Sequence, residues 1–175
     1  MDPFPATLPV AGRPAARLRW LQPDDWRLEH ELARVPDVPQ WTMYPADLDE
    51  AGARLRVMRM TEAARAGRGI RYAVEEDGVA LGTAGFGASD QGFEVFYALK
   101  PVGRGRGLAT GSVLALVHWL ASQGQRAVRL STLDGNTASE AVARRAGFRR
   151  ERKGTHIDGR PLTVWLRVEA PATPE

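Results

Sequence analysis

Arg17 and Arg19 interrupt the apolar run Ala16–Leu21 at every second position, the mark of a half-buried strand. Pro23-Asp24-Asp25 then opens a short helix to about Arg34. A Pro-broken loop, Val35 to Pro45, holds Trp41, Met43 and Tyr44. Asp47, with Glu50 three residues on, predicts the capped start of a longer helix through about Ala66. Three strands follow: Ile70–Glu75, Val79–Gly87 and Gly92–Leu99. Glu76-Asp77-Gly78 is a hairpin signal between the first two, and Ser89-Asp90 a turn before the third. Val113, Leu116, Val117 and Leu120 recur at helical spacing and predict a helix from Leu108 to about Gln123. Ala127–Thr132 reads as a strand, and Thr137-Ala138-Ser139-Glu140 as a capping box opening a helix to about Ala146. Phe148–Lys153 and Leu162–Val168 end the domain as strands around Asp158-Gly159. The pattern predicts an α/β domain of the α+β type. Its mixed, mostly antiparallel sheet has about seven strands, flanked by about four helices, with a right-handed strand–helix–strand crossover. Pro- and Ala-rich residues 1–14 and the tail 170–175 read as flexible segments outside a domain of residues 15–169.

At 175 residues and 43% hydrophobic, the chain has room for one real core. With no cysteine it has no disulfide, thiolate metal site or acyl-cysteine intermediate. The longest apolar run, Val113 to Ala121, is broken by His118 and falls far short of the ~20 residues that span a bilayer. No basic, then apolar, leader opens the chain, so a soluble cytoplasmic protein with no membrane partner is expected. The net charge is +3, and of 24 bases only Lys100 and Lys153 are lysine. Arginine forks suit phosphate recognition, but genome composition accounts for the same bias. The cluster Arg144, Arg145, Arg149, Arg150, Arg152 and Lys153 reads as a solvated face or as a partner for a phosphate. No zinc helix, H-x-x-x-D motif or G-x-S-x-G elbow occurs, and His30, His118 and His156 lack evident partners, so no metal is expected.

One stretch carries chemistry. Lys100-Pro101-Val102-Gly103-Arg104-Gly105-Arg106-Gly107-Leu108-Ala109-Thr110 lies between a strand and an apolar helix. Glycines there let successive N–H groups converge at a helix N-terminus, a ready anion site, with Arg104 and Arg106 as charge partners. A surface turn rich in Arg and Gly is the plainer alternative. The G-x-G-x-x-G/A fingerprint fails from either Gly103 or Gly105, and no Gly-Lys pair exists for a Walker loop. What fits is R-x-x-G-x-A, at Arg104, Gly107 and Ala109.

This hexapeptide resembles the pyrophosphate-binding signature of the GNAT acetyltransferases, and the element order from about Arg17 to Val168 is similar to theirs. Asn136-Thr137-Ala138-Ser139 followed by Ala146-Gly147-Phe148, and Phe93-Glu94-Val95-Phe96-Tyr97 before Pro101, resemble the RimJ/RimL-like branch, which acetylates N-terminal amines of ribosomal proteins. The resemblance implies acetyl-CoA as co-substrate. Gly105, Arg106, Gly107, Leu108 and Ala109 would cradle its pyrophosphate beside Arg104, with Ala98 and Leu99 giving main-chain contacts and Asn136 bonding pantetheine. Glu94 would be the general base, or else a solvent-facing strand residue. The family's usual tyrosine acid falls at Ala143 and is absent, so Ser139 stands in as thiol partner, or is only a helix-start residue. Trp41 and Tyr44 would line the acceptor groove, or pack in the core.

Freeing a lysine of its proton at pH 7 costs roughly 4.6 kcal/mol, against about 1–1.4 for an α-amine, which favours N-terminal or small amines as acceptors. An aminoglycoside- or polyamine-type acceptor would need an acidic groove, for which Asp47, Asp49, Glu50, Glu76 and Asp77 are the scattered candidates. A non-catalytic acyl-CoA-binding module is a further reading. Nucleic acid is not expected as a partner, and exposed strand edges permit a homodimer without requiring one.

Overall fold

The structure is a computed structural model and describes residues 2–89 and 91–170. Eight strands form one sheet: β1 (Thr7–Pro9), β2 (Ala16–Trp20), β3 (Gly69–Glu76), β4 (Val79–Ser89), β5 (Gly92–Leu99), β6 (Ala127–Leu133), β7 (Arg149–Thr155) and β8 (Pro161–Val168). Their spatial order is β1-β2-β3-β4-β5-β6-β8-β7. Only β5 and β6 run parallel, because a helix crossover separates them, whereas hairpin-linked neighbours must reverse. The helices are α1 (Trp26–Arg34), α2 (Asp37–Trp41), α3 (Glu50–Arg65), α4 (Leu108–Ser122) and α5 (Thr137–Arg145).

Strand alternation divides the core in two. Leu18, Tyr72, Phe86, Val95 and Val128 pack with α4 residues Val113, Leu116, Val117 and Leu120 on one face. Ala73 and Ala98 meet Leu28, Leu32, Tyr44, Ala53 and Val57 on the other. Among the described residues, no helix is long and apolar enough to cross a membrane.

Four local expectations need correction. Residues 1–14 were expected to be loose, yet Thr7–Pro9 pairs with Pro9↔Arg17, Leu8↔Leu18 and Thr7↔Arg19. Phe4 packs edge-on to Phe86 and Trp119, and the Pro5 carbonyl accepts from Trp20 Nε1 and the Tyr72 hydroxyl. Proline cannot donate to a ladder, but an edge strand tolerates it. Within the Val35–Pro45 loop a short helix, α2, forms. Asp49, not Asp47, caps α3, its Oδ1 accepting from the Gly52 N–H at 2.7 Å. Asn136, not Thr137, caps α5, accepting from the Ser139 N–H at 3.1 Å. In both helices the carboxylate or amide directly before the first turn reaches the third N–H, as an N-cap does. The tail beyond residue 170 lies outside the described residues.

Candidate active site

Strands β5 and β6 are paired only at Phe93↔Val128 and Glu94↔Arg129, and diverge beyond. The gap opens into a cleft of roughly 1240 Å³ that runs from the loop after β5 to the loop before α3. On β5 the N–H of Lys100 bonds the Leu81 carbonyl at 2.8 Å, so the antiparallel ladder uses Lys100, Ala98, Phe96 and Glu94. Tyr97 and Leu99 therefore turn their peptide groups to the unpaired edge. Ala98, expected to give a main-chain contact there, instead faces β4.

Past β5, Gly105 (φ 72°) and Gly107 (φ 82°) occupy the left-handed region, where a side chain is strained. Gly107 is the N-cap residue of α4, and the first backbone bond of that helix runs from the Gly111 N–H to the Gly107 carbonyl at 2.9 Å. Among the described residues, the N–H groups of residues 105–110 donate to no backbone carbonyl. Such open amides at the positive end of a helix dipole suit an anion. The two arginines behave differently from expectation. Arg104 donates to the Leu99 carbonyl and forks onto Asp37 at 2.6 and 2.9 Å, which holds the Asp37 carboxyl below its usual range. Arg106 pairs with Glu76 at 3.1 Å. Glu76 is also held by Arg13, so two guanidiniums share one carboxylate and this corner keeps a surplus positive charge. Residues Ala11–Arg13, unremarked in the sequence, line the cleft here. Of the arginine cluster near α5, Arg145 reaches the cleft, whereas Arg144 and Arg150 pair with Glu140 and Lys153 with Asp134.

Ser139 and Tyr97 meet across the gap, their hydroxyls 2.9 Å apart. Desolvation raises the Tyr97 pKa, so its hydroxyl stays protonated. The sequence signal for this pair existed: alternation sets Tyr97 on the α4/α5 face, and Ser139 is the third residue of α5. It was missed because the tyrosine comes from the strand and not from the helix.

On the opposite face, Glu94 lines the cleft, half-buried. In register beside it lie Gly87 and Gly69, and one row along lie Phe96, Gly85 and Arg71. A Cβ at Gly87 would meet nothing within 4 Å, so that floor is bare. Trp41 borders the cleft, half-buried. Tyr44 also lines it but is 5% exposed, and its hydroxyl is fixed by Glu29 and Thr83, each at 3.0 Å. Burial pushes the Tyr44 pKa up to about 12. His156 also borders the cleft and, against expectation, has a partner: its Nδ1 is 2.8 Å from Asp158. His30 packs against Trp26 and His118 is exposed. Among the described residues, no cluster of His, Asp and Glu is placed to hold a metal ion.

Comparison with solved structures returns the same architecture. RimL, a ribosomal L7/L12 alpha-N-protein acetyltransferase, superposes with a TM-score of 0.82 at 21% identity, over 93% of this chain and 94% of that one. The microcin C7 self-immunity acetyltransferase MccE, in complex with acetyl-CoA and AMP, gives 0.82 at 14% identity, over 95% and 98%. RimJ of Mycobacterium smegmatis, in complex with CoA-disulfide, gives 0.76 at 21%, over 93% and 85%. No curated protein matches the sequence significantly. The acetyltransferase (GNAT) domain family matches residues 16–149, most of the chain. With a splayed parallel pair, a glycine-turned amide loop and this match over one continuous segment, the chain belongs to the GNAT acetyltransferase family.

Proposed function

We propose that this protein is an acetyl-CoA-dependent N-acetyltransferase that moves an acetyl group to a primary amine by direct attack in a ternary complex. The acceptor is a protein N-terminal amine or a small amine. The observation that carries the reading is the single cleft joining the open amides of residues 105–110 to the two groups, Glu94 and Ser139, that the chemistry needs.

In this reading the amides of Gly105 to Ala109 hold the diphosphate, with the surplus charge of Arg13, Arg106 and Glu76 behind them. The unpaired edge of β5 at Tyr97 and Leu99 aligns the pantetheine, and Asn136 bonds it through the carboxamide nitrogen, its oxygen being spent on the helix cap. Proximity of thioester and amine supplies the largest share of the rate. Glu94 takes the proton of the attacking amine, directly or through water. Ser139 donates a hydrogen bond to the departing sulfur. The Tyr97 hydroxyl, itself protonated, orients the serine. Arg145 is placed for a further phosphate at the cleft rim.

A polycationic acceptor fits poorly. Of the six arginines that line the cleft, Arg13, Arg56, Arg104 and Arg106 are in ion pairs, and of its two carboxylates Asp37 is paired, so Arg71 and Arg145 face Glu94 alone among the described residues. The candidates for an acidic groove, Asp47, Asp49, Glu50, Glu76 and Asp77, do not line the cleft. The test is calorimetry with acetyl-CoA, followed by thiol release against peptides of varied N-termini, lysine peptides and polyamines. No heat of association would remove the proposal. Association without transfer to any amine would leave a binding module. Tyr97→Phe should lower kcat about 3–10-fold, as loss of one hydrogen bond to a reacting group does, with acetyl-CoA affinity retained.

A further inference from the structure

A charge network under the acceptor side of the cleft does not balance. Glu29 on α1 is fully enclosed. Its Oε2 accepts from Arg56 Nε at 2.6 Å, and its Oε1 accepts from the Tyr44 hydroxyl at 3.0 Å. Arg71 joins through neutral groups alone, its Nη1 donating to the Tyr44 hydroxyl and to Thr83 Oγ1, each at 3.1 Å. Glu29 therefore neutralises Arg56 and leaves Arg71 without a carboxylate of its own. Among the described residues, no carboxylate pairs directly with Arg71, and its Nε is buried without an acceptor. The rings of Phe96 and Tyr44 cover the guanidinium at 4.6 and 5.3 Å. Arg71 is half-buried in the cleft wall, its Nε enclosed and its guanidinium without a counter-ion, an arrangement that points to a charge that arrives with a ligand.

The geometry limits that ligand. Arg71 and Glu94 line the same cleft on the same face of the sheet, one row and two strands apart, with Gly85 and Gly87 between. Two strand spacings and one two-residue step put their Cα atoms roughly 12 Å apart, and a peptide spans about 3.3–3.6 Å per residue. We infer that Arg71 recognises a carboxylate carried by the acceptor, within the first three residues of the amine that Glu94 serves. This rests on the acetyltransferase reading and narrows its acceptor to acidic N-termini and similarly spaced amino acids. The same surplus charge repels polyamines.

The experiment uses matched hexapeptides with Asp, Asn or phosphoserine at position two or three, and spermidine. They are titrated into the CoA-saturated protein and assayed with acetyl-CoA by thiol release. The Asp peptides should show a Kd and KM at least tenfold below those of their Asn partners, and spermidine should fail to bind. Arg71→Gln should bring the Asp-to-Asn ratio toward one through KM, and Arg71→Lys should keep part of it. Equal use of Asp and Asn by the wild-type protein overturns the inference whether or not Arg71→Gln folds. So does a preference for phosphoserine with Asp and Asn alike, which would make the ligand a phosphate. Failure to bind acetyl-CoA overturns the acetyltransferase reading as well, whereas binding without discrimination removes only the role of Arg71.

Discussion

Between residues 105 and 110 the cleft presents peptide amides from one continuous turn, while at Arg71 it presents side chains from α3, β3 and the loop before α3, held from beneath by Glu29 of α1 and Thr83 of β4. The first region takes its turn from two left-handed glycines, with Arg104 and Arg106 anchoring it to Asp37 and Glu76. The second holds its shape through an enclosed ion network, and a side chain lost there is felt through the core. A backbone site should thus fail in binding when altered. A side-chain site should fail in stability or selectivity.

Four substitutions sharpen or break that contrast. The largest effect is expected at Glu94, where Glu94→Gln should lower kcat about 10²–10⁴-fold if the carboxylate is the base, with acetyl-CoA affinity intact by calorimetry. An unchanged kcat would return Glu94 to an ordinary strand residue. Next, Glu29→Gln should destabilise the protein by about 3–5 kcal/mol in denaturant unfolding, because it leaves Arg56 facing an uncharged group in an enclosed site. A loss below ~1 kcal/mol would mean that water reaches the network. Third, Gly107→Val should weaken acetyl-CoA about 10–100-fold, since the left-handed backbone alone costs roughly 1–2 kcal/mol for a side-chain residue. The acceptor side should be left unaltered, and undiminished affinity would deny the turn its role.

The smallest effect concerns the ion pair beside the amide loop, Asp37 and Arg104. Each side chain is about two-fifths exposed, so solvent screening limits the pair to under ~1 kcal/mol. Its sign with pH follows from the lowered Asp37 pKa. The contribution is complete above the unfolded carboxyl value near ~3.9 and fades as pH falls through the folded one. Asp37→Asn should therefore melt a few degrees or less below wild type at pH 7, and the gap should narrow as acid protonates the folded carboxyl. A gap persisting in acid would assign the difference to something other than charge.

Legibility followed the same division. Strand and helix positions were readable from apolar period, and the amide loop from glycine spacing before the helix of Val113, Leu116, Val117 and Leu120. The partners of Arg104 and Arg106 were not, since Asp37 and Glu76 come from distant segments and reach them only through folding. Asp47 and Thr137 each have an acidic residue three positions on, the capping-box spacing, yet the cap is the polar residue adjoining the first turn. Arg71 carried no signal in the sequence. Its importance lies in a counter-charge taken elsewhere, which no local pattern encodes. Tyr44 packs in the core and also borders the cleft, its hydroxyl held by Glu29.

The contact between the Ala11 N–H and the Gly111 carbonyl, 3.3 Å, ties the opening residues to the first turn of α4. A Cβ at position 111 would stand 2.4 Å from the Ala11 carbonyl oxygen, so the two backbones cannot be parted by a larger residue without moving one of them. An arm seated on the first turn of that helix shares its order with the amide loop beside it. Acetyl-CoA should then slow protease cutting and amide exchange at residues 4–13, and unchanged rates would show that arm and loop are independent.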